Sequence, residues 1–332
     1  LIDNGVYIPI AVCGLGTDHL NNIVEVEKDF GLCSHQFKFL HISSCFPRKG
    51  IEYLLEAYSR VFSEKDNVIL IIKTFKNVHN NIEDILSSYK RNNIHFPKVQ
   101  IIFNDFSESK IKKLYQSCDA LVAPSLGEGF GLPIAEAMQF GLPVITTNYG
   151  GQLDYCDISN SWLVDYEFNY SGTHFGLTSS VWAEPSVDSL SQCLQNVYAS
   201  SKSEILSKTK SAKKLINNYT WDAVSRSNVE FVNQIITRKP YNSSIAFITT
   251  WNTKCGIASY TKHLVDNIYD KFYILARSNV DYPLVANDSE NVFRCWSNNS
   301  KLDQLFHKIL YLNVNSIVIQ FNYGFFDLTE LK

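Results

Sequence analysis

Two glutamates bracket the stretch of this chain richest in chemistry. Glu128 and Glu136 are separated by seven residues within Pro124-Ser125-Leu126-Gly127-Glu128-Gly129-Phe130-Gly131-Leu132-Pro133-Ile134-Ala135-Glu136-Ala137-Met138. Gly127, Gly129 and Gly131 let the backbone approach a ligand closely. Pro133 opens a helix at a position where its missing N–H costs nothing. The N–H groups and dipole at such a helix start favour a bound phosphate. Glu136 falls about one turn into that helix, where a carboxylate can accept two hydrogen bonds from a vicinal diol such as a ribose. A Gly-x-Gly before a helix is by itself more often a tight turn, and a glutamate near a helix start is stabilising anyway. Here the loop follows a strand and carries an acid at each end, which reverses that reading. Glu128 puts a negative charge beside an anion-binding loop, a local conflict of the kind that tends to mark function.

A second cluster is Phe46-Pro47-Arg48-Lys49-Gly50. Two cations before a helix sit at the wrong end of its dipole. For Arg48, a solvated surface charge and a functional role weigh about equally.

The elements that must hold these residues follow from periodicity. FKFLHIS (Phe37–Ser43), VILIIKT (Val68–Thr74), VQIIF (Val99–Phe103), ALVA (Ala120–Ala123) and PVITT (Pro143–Thr147) are short apolar runs, several rich in β-branched residues. They read as strands buried on both faces. Helical patterns at Ile51–Phe62, Ile82–Arg91, a stretch N-capped by Ser107, and Pro133–Phe140 alternate with them. The βα order predicts a doubly wound α/β fold whose ligands bind at the carboxyl ends of the strands. Helices near Asp188–Ala199, Ser203–Asn218 and Thr220–Ile236 close this unit. After the polar stretch Arg238-Lys239-Pro240-Tyr241-Asn242 the pattern restarts, with strands SIAFIT (Ser244–Thr249), FYILA (Phe272–Ala276) and IVIQF (Ile317–Phe321) and a helix at Ile257–Ile268. This second unit is shorter than the ~150 residues of a typical domain and reads as truncated.

The 332 residues suit two domains, and 45% apolar with 19% charged residues is an ordinary globular mixture. A net charge of -3 without a basic block argues against nucleic acid. No apolar run approaches the ~20 residues of a spanning helix, and no signal peptide opens the chain. The eight scattered cysteines contain no Cys-x-x-Cys pair and read as reduced, part-buried thiols of a cytosolic protein rather than zinc ligands. The chain opens at Leu1 and its one methionine is Met138, so a natural start is not expected there.

The run from Glu128 to Glu136 resembles the EGFGLPxxEAM signature of family 4 (group 1) retaining glycosyltransferases. The resemblance implies that Glu136 holds the donor ribose and Glu128 contacts the transferred sugar. Backbone groups around Gly129, Phe130, Gly131 and Leu132 would cradle the sugar and diphosphate. Phe46–Gly50 resembles the family's Lys-Gly element, which makes Lys49 the diphosphate ligand, able to offset charge on the leaving group. The family commonly has an arginine five residues before this lysine, and here that position is Ser44. Either Arg48 compensates or the phosphate is held more weakly. Asn104-Asp105-Phe106 follows the third strand where the family contacts the nucleobase, so Phe106 is a candidate for that pocket, as well as for the core. Gly150-Gly151-Gln152-Leu153-Asp154, Trp182-Ala183-Glu184-Pro185 and Tyr219-Thr220-Trp221 resemble later parts of the same domain, with Asp154 capping a turn or acting and Trp221 packing. Asn4-Gly5 through Asp18-His19 resembles the crossover from an acceptor-binding half. Thr250–Tyr260 and Gln320-Phe321-Asn322-Tyr323-Gly324 resemble loops of the acceptor half of a second module, with Cys255-Gly256 where the family often has two glycines.

These resemblances imply a GT-B type α/β fold. Residues 1–36 are read as a crossover from a missing acceptor domain, and 37–237 as a Rossmann-like doubly wound donor-binding domain. Residues 238–243 are read as a linker, and 244–332 as a partial second Rossmann-like unit of a tandem enzyme. The catalytic candidates are Glu128 and Lys49. The donor-binding candidates are Ser44, Arg48, Lys49, Phe106, Gly129, Phe130, Gly131, Leu132 and Glu136. The expected reaction is retaining transfer from a nucleotide-diphosphate sugar, GDP-mannose favoured over a UDP-sugar, to a glycan or lipid-linked glycan in surface polysaccharide synthesis. The implied location is cytoplasmic or at the inner membrane face, with peripheral membrane association through parts outside this chain. No metal and no cofactor beyond the donor are implied, since no Asp-x-Asp stands in a suitable loop. The alternative is a nucleotide-sugar-binding fragment with no transferase activity of its own. An epimerase or a phosphorylase on the same fold fits less well: one would lack the Glu-x7-Glu run and the other needs a cofactor lysine site.

Overall fold

A computed structural model of the chain describes residues 10–24, 36–172, 180–236, 244–278, 284–297 and 302–320. Asn4-Gly5, Cys33, residues 238–243 and 321–324 lie outside the described residues. The chain divides into two compact units, Thr17–Tyr219 and, separately, Leu1–Gly16 with Thr220–Lys332.

The first unit is a parallel sheet built from β1 (Phe37–Ile42), β2 (Val68–Lys73), β3 (Val99–Ile102), β4 (Ala120–Ala123), β5 (Val144–Thr147) and β6 (Trp162–Val164). Their order across the sheet is β3-β2-β1-β4-β5-β6, all in parallel register. The chain moves outward from β1 to β3, then returns to set β4 on the other side of β1. That reversal opens a crevice at the carboxyl ends of β1 and β4. Helices α1 (Ile51–Val61), α2 (Ile82–Asn92), α3 (Glu108–Gln116) and α4 (Leu132–Gln139) supply the crossovers. Apolar side chains point from both faces of β1 and β2, because helices cover each side. Phe39, Leu54, Leu55, Tyr58, Leu70 and Ile72 are fully buried in one layer of this core. Each such aliphatic side chain contributes about 1.5–3 kcal/mol relative to exposure.

Sequence periodicity missed β6 and the antiparallel hairpin of β7 (Tyr166–Tyr170) and β8 (Val181–Pro185). β6 is three residues long and the hairpin carries exposed aromatics, so neither shows a buried strand's apolar run. Helices α5 (Val187–Ala199) and α6 (Lys202–Ile216) follow, α5 packing on α1 and α6 on α4. Helix α7 (Trp221–Ile236) falls in the other compact unit, where the sequence reading had the donor domain run on to residue 237.

That second unit is a four-stranded parallel sheet. It comprises β9 (Ser244–Thr249), β10 (Lys271–Arg277), β11 (Val292–Trp296) and β12 (Ser316–Ile319), with helices α8 (Gly256–Val265) and α9 (Asp303–Leu312). The order is β11-β10-β9-β12. Alternation divides its core. Ile245 and Phe247 face Trp221, Val224, Leu264 and Val265, while Ala246 and Ile248 face Trp296, Leu302 and Leu305. Trp221 is a packing residue, stacked on His263 at 5.0 Å between ring centroids.

Candidate active site

Two loops meet over the crevice between β1 and β4. The first leaves β1 through Ser43, Ser44 and Cys45, forms a short 3-10 turn at Pro47–Lys49 and enters α1 at Gly50. Gly50 has φ +69°, and a Cβ there would stand 2.0 Å from the carbonyl oxygen of Pro124. Both facts demand glycine, and the close approach brings Lys49 onto the second loop. The Leu126 N–H donates to the Arg48 carbonyl at 2.8 Å, tying the loops together.

The second loop runs from Pro124 to Gly131, the N-cap of α4 in the left-handed region at φ +81°. Added Cβ atoms at Gly127 and Gly129 would meet open space. The Tyr155 hydroxyl fixes the loop's end, lying 2.6 Å from the Phe130 carbonyl oxygen and 2.9 Å from that of Gly131. The Phe130 ring is buried against Tyr155 and Tyr219. Its side chain is therefore a strut, which leaves its N–H, with those of Gly131 and Leu132, as the groups that could meet a ligand.

The charges of the two loops converge on Glu128. Lys49 Nζ bonds to Glu128 Oε1, Ser125 Oγ donates to the same oxygen at 2.9 Å, and Arg48 Nη1 lies 3.5 Å from Oε2. Arg48 Nη1 also donates to the Gly127 carbonyl at 3.1 Å. Side-chain exposure is 13% for Lys49 and 10% for Glu128. Burial works against the Glu128 charge, but Lys49 and Arg48 outweigh it and hold the carboxyl below its ordinary range. Burial pulls the Lys49 ammonium down despite Glu128. The conflict seen in the sequence, an acid in an anion-binding loop, is thus balanced by two cations from the other loop.

Glu136 lies in the second turn of α4, 8% exposed. Tyr115 donates its hydroxyl to Oε2 at 2.7 Å, and His19 Nε2 lies 2.9 Å from Oε1. Ser44 offers its carbonyl to Asn77 Nδ2 at 3.0 Å. Phe106 is half-buried, with Lys73 Nζ at 5.2 Å and Lys110 Nζ at 5.9 Å from its ring centroid. Gly151 N–H donates to the Glu128 carbonyl at 2.9 Å, so the Gly150-Gly151 loop packs directly on the glutamate's backbone. Asp154 ends a 3-10 turn and is exposed.

Residues 25–165 match the family model described as glycosyl transferases group 1. An uncharacterized glycosyltransferase of Methanocaldococcus jannaschii is 24% identical over 208 residues, covering 62% of this chain and 47% of that protein. The serotype-specific mannosyltransferase WbdA of Escherichia coli is 34% identical over 110 residues, 33% of this chain and 13% of that one. Among solved structures, a glycosyltransferase from Rickettsia africae superposes with a TM-score of 0.55 at 20% identity, covering 68% of this chain and 57% of that chain. A sucrose-phosphate synthase from Thermosynechococcus elongatus gives 0.50 at 18% identity, covering 63% and 47%. These matches support a group 1 glycosyltransferase. Its fold is the GT-B type. The chain spans about half the length of the first of these relatives and far less of the second.

Several residues of this site were not singled out by sequence reasoning. His41 in β1 is 1% exposed and donates from Nδ1 to the Val122 carbonyl at 2.8 Å. Its Nε2 then accepts from Ser43 Oγ at 2.7 Å, and Ser43 Oγ accepts the Cys45 N–H at 3.0 Å. Burial pulls the His41 pKa down to about 4, which keeps the ring neutral and this tautomer in place. The relay holds Cys45 in the left-handed region at φ +53°, where the chain turns towards Lys49. His41, Tyr115, Ser125 and Tyr155 gave no signal because each sits in a pattern that reads equally well as core or cap. The seven described cysteines are unpaired. Among the described residues no helix is long and apolar enough to cross a membrane.

Proposed function

We propose that this chain carries the donor site of a retaining glycosyltransferase that takes its sugar from a nucleotide-diphosphate sugar, GDP-mannose before a UDP-sugar, and serves a glycan acceptor in surface polysaccharide synthesis. The observation that carries this reading is the convergence of Lys49 and Arg48 on Glu128 in the loop that leads into α4, the helix that carries Glu136. Support for mannose comes from the mannosyltransferases among the relatives, including an O-antigen chain enzyme of Salmonella typhimurium at 27% identity over 110 residues. Donor recognition divides along the crevice. Glu136 accepts the ribose hydroxyls, and Lys49 with the N-terminus of α4 meets the diphosphate. Ser44 and Arg48 flank it, and Phe106 borders the base.

Lys49 is paired with Glu128. A diphosphate brings more charge than one carboxylate and competes for the ammonium, which frees Glu128 to turn to the sugar. As the bond from the anomeric carbon to the diphosphate breaks, its electrons leave with the diphosphate. Lys49 and the helix N–H groups stabilise that charge without reorganising. The acceptor hydroxyl forms the new bond to the anomeric carbon on the same face and gives its proton to an oxygen of the departing diphosphate. Glu128 orients the sugar in this scheme.

Calorimetric titration with GDP, UDP and ADP, then with sugar nucleotides of the base that binds, tests the donor site. Glu136→Ala should weaken binding by about 1.5–3 kcal/mol, tenfold to more than a hundredfold. Unchanged binding in that variant would sink the assignment. A second reading, a chain that binds the donor without transferring, is favoured by its covering only 47% of the first relative. A transfer assay on the chain alone separates the two.

A further inference from the structure

The carboxylate of Glu136 is held by the protein itself, and the way it is held limits what it can bind. The Tyr115 ring is fully buried at the end of α3 and stacks on Phe140 with 5.6 Å between centroids. Its hydroxyl donates to Oε2 from the protein side. Burial first, and the Glu136 charge second, push this phenol well above its ordinary range, so it remains a donor. His19 reaches Oε1 from a short 3-10 helix, Asp18–Leu20. That helix is pinned at several points. Thr17 N and Oγ1 bond to the Tyr219 carbonyl at 2.8 and 3.1 Å, Leu20 is 2% exposed, and Lys112 Nζ donates to the Asn21 and Ile23 carbonyls.

A carboxylate offers about four lone-pair sites, two on each oxygen. Tyr115 takes one on Oε2 and His19 one on Oε1. One site is left on each oxygen, in a plane fixed by two donors that are themselves fixed. That residual pair of acceptors matches two adjacent hydroxyls. A carboxylate with a free torsion would lose more entropy on binding a diol than one held in place beforehand.

We propose that Tyr115 and His19 are positioning residues for vicinal-diol recognition, acting on the ribose of the nucleotide through Glu136. The inference rests on the reading that Glu136 accepts the ribose hydroxyls.

The test compares GDP and UDP with their 2′,3′-dideoxy counterparts by calorimetry on the full chain. The wild-type chain is expected to prefer the ribose form by about tenfold or more. In Tyr115→Phe, which removes one oxygen, that preference should shrink at least about threefold with the dideoxy affinity unchanged. His19→Ala should shrink it likewise, and His19→Gln, which keeps an N–H donor, should restore part of it. Should Tyr115→Phe and His19→Ala keep the wild-type preference, or weaken both nucleotide forms equally, the positioning role is overturned. Glu136→Gln separates the two levels. If it keeps the ribose preference, or the wild-type chain has none, the reading of Glu136 is wrong and the inference falls with it. If Glu136→Gln abolishes the preference while the other variants keep it, only the inference falls.

Discussion

Thr17–Tyr219 and the second unit are both parallel sheets wound outward from a central strand, and each has a crevice where the strand order reverses. They differ in what stands there. Beside β1 and β4 the loops bring Lys49, Arg48 and Glu128 together, with Lys49 and Glu128 withdrawn from water, and α4 carries Glu136 between Tyr115 and His19. Beside β9 and β12, among the described residues, a cluster of neutral groups forms. Thr249 Oγ1 lies 2.8 Å from Thr261 Oγ1, both hydroxyls bond to Gln320 Oε1, and the Cys255 thiol caps α8 by accepting the Ala258 N–H at 3.3 Å. One topology thus supplies the same place twice, and side-chain chemistry decides its use. A buried charge is far costlier to leave unpaired than a neutral hydroxyl or amide. The charged crevice is the one expected to exchange partners with an anionic ligand.

Breaking the charge cluster should have the largest effect. Lys49→Ala leaves Glu128 buried without its nearest cation, and should cost about 3–5 kcal/mol of stability. Hydrogen exchange read peptide by peptide should place that loss in Thr17–Tyr219, and an equal loss in β9–β12 would break the contrast between the units. Acid should come next. Folded His41 stays neutral down to about 4, while the unfolded imidazole takes up its proton near 6.5. Between these values the unfolded chain binds more protons, so stability is full above about 6.5 and falls as pH drops through the window, by about 3 kcal/mol at its lower end. A His41→Gln chain should show a flatter urea-midpoint profile over that range. Thr261→Val removes a fully buried hydroxyl from the neutral cluster and should cost about 1–3 kcal/mol while leaving nucleotide affinity unchanged; a changed affinity would mean the neutral crevice matters to the donor site. The smallest effect is Ser107→Ala, which deletes the cap that accepts the Lys110 N–H at 3.2 Å and should cost about 1 kcal/mol of stability, read as a lower urea midpoint.

The strands β1 to β5 and helices α1 to α6 were legible because each carries a local signal, an apolar run or a 3.6-residue stripe. Even the Ser107 cap could be placed to the residue. The hairpin of β7 and β8 was not, because its stripe of Tyr166, Phe168 and Tyr170 is half-buried to exposed. Helix α7 was legible as a helix but not as a member of the second unit, since an amphipathic stripe does not say which sheet it will cover.

For the site, sequence alone determined the types and spacing of Lys49, Glu128 and Glu136, and the two glycine loops that had to carry them. Spacing along a chain can specify a loop and a helix face. Only the tertiary structure decided that Lys49 and Arg48 are partners of Glu128, that Gly50 is required by the carbonyl of Pro124, and that Tyr115 and His19 hold Glu136. These contacts join residues 21 to 117 positions apart, Tyr115 with Glu136 at one extreme and His19 with Glu136 at the other. No local pattern encodes such pairs, because they form only when the fold brings separate elements side by side.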